Sequence, residues 1–116
     1  MTKLGYSVSE EQNAMNAAIA AHQADLENLC QRFHVRRLDL FGSALDAAFD
    51  TARSDLDFLV EFEVMPDGEY ASTYFDFKDA LERLFERSVD LVVASAIRNP
   101  YFRQSVERGK ALVYAA

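Results

Sequence analysis

The chain has 116 residues, half of them hydrophobic, and a formal net charge of −7. That length makes one domain with a real core, and the apolar fraction, without any low-complexity tract, excludes a disordered chain. The acidic balance excludes a general nucleic-acid binder, which neutralises phosphates with basic patches; a basic protein partner or a metal-bound nucleotide fits better.

A single cysteine, Cys30, allows no disulfide within the chain. It falls in a helical apolar pattern and reads as a small buried hydrophobe. The first residues show no basic-then-apolar leader, and no apolar run is long enough to span a bilayer. The expectation is a soluble, cytoplasmic protein with no membrane contact.

Residues 1–8 read as a tail, and residues 9–116 as one domain. Ser9 with Gln12 forms a capping-box pattern, which predicts a helix from about residue 10 to residue 33. Met15, Ile19, His22, Leu26, Leu29, Cys30 and Phe33 recur at threes and fours as its apolar stripe. The alanines of its first half favour helix by propensity. His22 has no second ligand at metal spacing, so it reads as packing, and His34 reads as a polar helix terminus.

Val35 to Phe41 reads as the first strand, with Arg36 and Arg37 as surface charges at its entrance. Asp39 alternates with Leu38 and Leu40, and alternation alone assigns it no ligand role. Gly42-Ser43 follows as a turn. Glycine lets backbone approach a ligand closely, and N–H groups opening a short helix after it suit an anion such as phosphate.

After the connector Ala44 to Ser54 comes a second strand, about residues 55–64, opening with Asp55-Leu56-Asp57. Alternate side chains of a strand share a face, so Asp55 and Asp57 project together while Leu56, Phe58, Val60 and Phe62 point the other way. Two carboxylates on one face repel unless a cation sits between them, and Mg²⁺ takes such oxygen ligands together with substrate phosphates. Glu61 and Glu63 continue the polar face beyond reach of that ion.

Met65-Pro66-Asp67-Gly68 reads as a turn. A helix over about residues 72–87 follows, with Tyr74, Phe77, Leu81, Leu84 and Phe85 as its apolar face. Tyr70 and Tyr74 read as core aromatics rather than base-stacking ones. Residues 88–93 read as a third strand in which Asp90 opposes Val89, Leu91 and Val93. A lone buried carboxylate there is costly unless paired or metal-bound. Asn99-Pro100 opens a last helix, Gly109 stops it, and residues 110–114 add a short strand.

Strand, Gly-Ser, polar connector and D-x-D in this order resemble the minimal nucleotidyltransferases, the MNT-domain, MntA-like antitoxins among them. These belong to the DNA polymerase beta-like nucleotidyltransferase superfamily. The resemblance extends through LVEFE and RSVDLV to the tail NPYFRQSVERGKALVYAA, from Leu38 to Tyr114. It implies an α/β (α+β) fold with a small mixed sheet and helices packed on one side. It also implies that Asp55, Asp57 and Asp90 are the catalytic, metal-binding carboxylates for Mg²⁺. Gly42 and Ser43 would hold the phosphates. Where many relatives have an arginine after Gly-Ser, this chain has Leu45-Asp46. Arg53, with Ser54, is the candidate to fill that gap in nucleotide binding.

The resemblance further implies transfer of a nucleoside monophosphate, AMP from ATP, to a hydroxyl on a partner protein. The partner would be a HEPN-type ribonuclease toxin, with this chain as antitoxin. The other reading is a non-catalytic module that neutralises a basic partner by contact, with homo- and hetero-oligomers both open. A D-x-D glycosyltransferase would need a much longer chain. A haloacid dehalogenase would need threonine where Leu59 stands.

Overall fold

A computed structural model describes residues 19–41 and 56–116. Residues 19–21 are helical and the chain turns at His22. Helix α1, Gln23–Arg32, then leads to strand β1, Val35–Phe41. Strand β2 is Leu56–Phe62, helix α2 Asp67–Phe85 and strand β3 Val89–Val93. A 3₁₀ turn at Ala94–Ala96, helix α3, Pro100–Gly109, and strand β4, Ala111–Ala115, complete the order.

The four strands form one mixed sheet in the order β3-β2-β1-β4. β1 runs antiparallel to both β2 and β4, whereas β2 and β3 are parallel. Parallel neighbours need a crossover connection, and α2 supplies it. The apolar alternation decides which face is core. Leu38, Leu40, Leu56, Phe58, Val60, Val89 and Leu91 are buried together on one face, under Leu26 and Cys30 of α1 and Phe77 and Leu81 of α2. A register shift between Val35 and Arg37 brings Val35 into phase with that face and leaves Arg36 exposed.

The mixed sheet and the two helices over one face agree with the sequence. The opposite face carries a smaller cluster of Phe41, Leu59 and Val106, so α3 closes part of that side. Two helix boundaries differ from expectation. The long N-terminal helix is interrupted at His22, whose φ of −107° and ψ of 14° break the helical run. Its imidazole packs edge-on to Phe85, with ring centroids 5.4 Å apart, which is a packing role. α2 begins at Asp67, so Met65 to Gly68 leads into a helix rather than forming a separate turn. Pro66 caps that helix, and Asp67 and Glu69 occupy its first turn, where negative charge meets the positive end of the helix dipole.

Two helix ends use the left-handed region. His34, just after α1, has φ 60°, and Glu86, after α2, has φ 55°. Glycine usually serves there. The strand edges are covered from the helices. Leu56 N–H donates to the Ser88 carbonyl at 3.0 Å, so by alternation the backbone groups of Val89 and Leu91 point away from the sheet. Glu82 accepts from Val89 N–H at 2.9 Å, and Tyr74 Oη donates to the Leu91 carbonyl at 2.5 Å. An open edge would invite pairing with other chains. At the other edge, Gln23 Nε2 donates to the Val113 carbonyl of β4 at 3.3 Å. Among the described residues, no helix is long and apolar enough to cross a membrane.

Candidate functional site

Asp57 and Asp90 are register partners on the parallel strands β2 and β3. Partners in a parallel pair lie side by side on one face, with strands about 4.8 Å apart. Each residue sits between core positions: Leu56 and Phe58 around Asp57, Val89 and Leu91 around Asp90. Burial of those neighbours fixes the register, and the register brings the carboxylates together. A one-residue slip would turn either acid into the core. Asp57 is half-buried and Asp90 exposed.

Exposure removes one reason for singling out Asp90. It is not a buried carboxylate that needs a partner; its pairing with Asp57 is what marks it. The acid that is buried is Asp39, 2% exposed, on the same face as Asp57 but one row further along. Both its oxygens accept from Arg37, from Nε at 3.0 Å and from the terminal nitrogen at 3.2 Å. Arg37 is therefore not a simple surface charge. The hydrogen bond and the charge of Asp39 raise the guanidinium above its usual range. The signal was present in the sequence: residues two apart on a strand share a face, so Arg37 was placed to meet Asp39.

The cross-strand partner of Asp57 on β1 is Phe41, and Gly42 is the next residue in the chain. Gly42, Ser43, Asp46, Arg53, Ser54 and Asp55 lie outside the described residues, as do Ser9 and Gln12. The structure therefore brings together two of the three expected carboxylates. Among the described residues there is no group of three or more His, Cys, Asp or Glu gathered to hold a metal. The donor chemistry of the pair fits a hard divalent cation. Adjacent carboxylates offer oxygen ligands, and the repulsion between them favours a cation bound at both.

The remaining reactive side chains are accounted for by packing. Cys30 is buried, and burial, helped by the charge of Glu27, pushes its thiol up to about 12. Such a thiol is inert. Tyr70 stacks edge-on with Phe62 at 5.5 Å between centroids. Phe102 of α3 meets Phe41 edge-on at 6.2 Å, tying α3 to the end of β1. Asn99 caps α3 as expected, accepting from the N–H groups of Tyr101 at 2.8 Å and Phe102 at 3.2 Å.

Known proteins share this architecture. A family model described as a nucleotidyltransferase domain matches residues 26–113. A protein of Methanocaldococcus jannaschii, provisionally named a protein adenylyltransferase, is 39% identical over 79 residues, covering 68% of this chain and 76% of its own. A solved structure, provisionally described as a minimal nucleotidyltransferase, is 30% identical with a TM-score of 0.67, covering 82% of this chain and 92% of that one. A chain in the complex of a tri-AMPylated Shewanella oneidensis HEPN toxin with an MNT antitoxin shares the fold. Its TM-score is 0.58 at 17% identity, over 84% of this chain and 73% of that one.

Proposed function

This chain belongs to the nucleotidyltransferase domain family, and on that premise we propose that it transfers AMP from ATP to a hydroxyl on a partner protein. The partner would be a HEPN-type toxin, which the transfer would silence. The observation that carries this reading is the register pairing of Asp57 with Asp90 on parallel strands. The provisional name of the M. jannaschii relative and the AMPylated toxin in the S. oneidensis complex support the choice of a protein acceptor.

In the proposed reaction the acceptor oxygen attacks the α-phosphorus in line with the leaving group. One P–O bond forms to the acceptor, the bond from the α-phosphorus to the bridging oxygen breaks, and pyrophosphate leaves. Asp90 is exposed and can be approached by an incoming hydroxyl, so it accepts the proton. Asp57, paired beside it, and Asp55 would hold Mg²⁺. When bound, that ion would neutralise triphosphate charge. Gly42 and Ser43 would hold the β and γ phosphates, with Arg53 and Ser54 adding charge and hydrogen bonds.

The test is incubation with Mg²⁺ and labelled ATP, with and without the helical toxin, read by intact mass. The expected result is an AMP adduct on the toxin. Asp57→Asn or Asp90→Asn should each slow its formation by about 10²- to 10³-fold, with thermal stability kept. A tight complex that neutralises the toxin equally well in both variants, with no adduct, would instead support contact alone.

A further inference from the structure

We infer that the groove along the outer edge of β3 seats the aromatic ring of the acceptor side chain, so that a tyrosine is preferred over a serine or threonine. Phe102 and Ile97 set the preference. This rests on the proposed transfer to a protein hydroxyl and assigns the residues that choose the acceptor.

The groove has a volume of about 700 Å³ and is walled by Tyr74, Val92, Ile97, Asn99 and Phe102. That is within the usual range of ligand sites, roughly 300–1,000 Å³. Val92 lies on the face of Asp90, two residues along the same strand, a separation of about 6.6 Å. A phenol ring resting on Val92 and Phe102 would extend its hydroxyl over that distance to Asp90. A serine hydroxyl, one bond from its Cβ, would reach Asp90 only if the acceptor backbone itself entered the groove. Phe102 is 42% exposed, so its ring offers free surface, while its contact with Phe41 holds it in register with the partner of Asp57.

The polar groups of the wall are already engaged. Asn99 Oδ1 caps α3, and Tyr74 Oη donates to the Leu91 carbonyl. A purine pressed into this groove would bury ring nitrogens without partners, at about 1–3 kcal/mol for each such group. A phenol presents an apolar ring to the wall and its one polar atom to the carboxylates. The groove therefore suits the acceptor ring and not the nucleotide base.

The test is an NMR titration of the whole chain with N-acetyltyrosinamide and, separately, N-acetylserinamide, with Mg²⁺ and a non-hydrolysable ATP analogue present. Tyrosinamide should shift the amides of Val92, Ile97 and Phe102, and serinamide should leave them in place. Phe102→Ala should weaken tyrosinamide binding about fivefold, the loss of an aromatic contact of about 1 kcal/mol. Binding of the ATP analogue should stay unchanged. Ile97→Ala is the second variant, with a smaller loss in the same direction. Shifts in the groove from the ATP analogue alone would give the groove to the base and overturn the proposal. Equal footprints from both amides would overturn it as well. A nucleotide footprint at Asp57 and Asp90 without a tyrosinamide footprint in the groove would sink this assignment alone. Absence of a nucleotide footprint at Asp57 and Asp90 would sink the transfer reading, and this one with it.

Discussion

Replacing Arg37 with alanine leaves Asp39 in the sheet with neither of its hydrogen bonds to the guanidinium. Asp39 is 2% exposed, and the side chain of Arg37 is 40% exposed. Removing one partner of a fully buried pair costs about 3–5 kcal/mol. Here the arginine is partly hydrated and water can follow its loss, so the expected destabilisation of Arg37→Ala is about 2 kcal/mol. With a urea m-value of about 2 kcal/mol/M, the midpoint should fall by about 1 M. Arg37→Met combined with Asp39→Leu removes both charges and keeps volume. That pair should lie within about 1 kcal/mol of the parent, giving a large coupling energy in a double-mutant cycle. Urea denaturation of the parent, both single variants and the double variant decides it. A loss below about 0.5 kcal/mol for Arg37→Ala, or additive single losses, would show that the pair behaves as an ordinary surface salt bridge and would refute the reasoning.

Glu82→Ala should uncover the Val89 N–H, which Glu82 now accepts at 2.9 Å, and cost about 1 kcal/mol; faster hydrogen exchange at Val89 is the readout. The carboxyl of Glu82 is held below its usual value by the Val89 N–H first and Lys78 second. Its contribution is therefore present above the ordinary glutamate range and lost as pH falls through the lower folded value. A parent-minus-Glu82→Ala difference that does not shrink in acid would contradict this. His34→Gly and Glu86→Gly, both at positive φ, should each raise stability, by up to about 1 kcal/mol from relief of left-handed strain, measured as the denaturation midpoint. Cys30, whose thiol is pushed up to about 12, should resist alkylation at pH 8 until the chain unfolds. Because the folded thiol keeps its proton, its effect on stability is constant below the unfolded value near 9 and falls as pH rises toward 12. A Cys30→Ala variant should show a shallower alkaline decline.

The strands were legible because their alternation was clean. Leu56, Phe58 and Val60 fall on one face and Asp57 on the other in sequence and in structure alike. Asp90 was found by likeness to a family pattern and by an expected burial that the structure does not bear out; the real warrant is a cross-strand register, which a single strand cannot reveal. The interruption at His22 was hidden because the alanine-rich segment before it favours helix on either side of a break. The start of α2 was missed because Pro66, Asp67 and Gly68 are turn formers in isolation and become a helix start only when the following face packs through Tyr74 and Phe77. Arg37 was missed for a different reason. The question asked of Asp90, where a carboxylate in an apolar strand finds a partner, was not asked of Asp39.

The sheet order β3-β2-β1-β4 also has a consequence for the order of assembly during synthesis. β1, β2 and β3 leave the ribosome in sequence and are neighbours in that sequence, so the two paired carboxylates can be brought together before residues 111–115 emerge. β1 keeps one long side open until then, and β4 closes it last. A nascent chain stalled after α3 would carry an assembled carboxylate pair beside an unpaired strand, a form able to accept a foreign segment where β4 belongs.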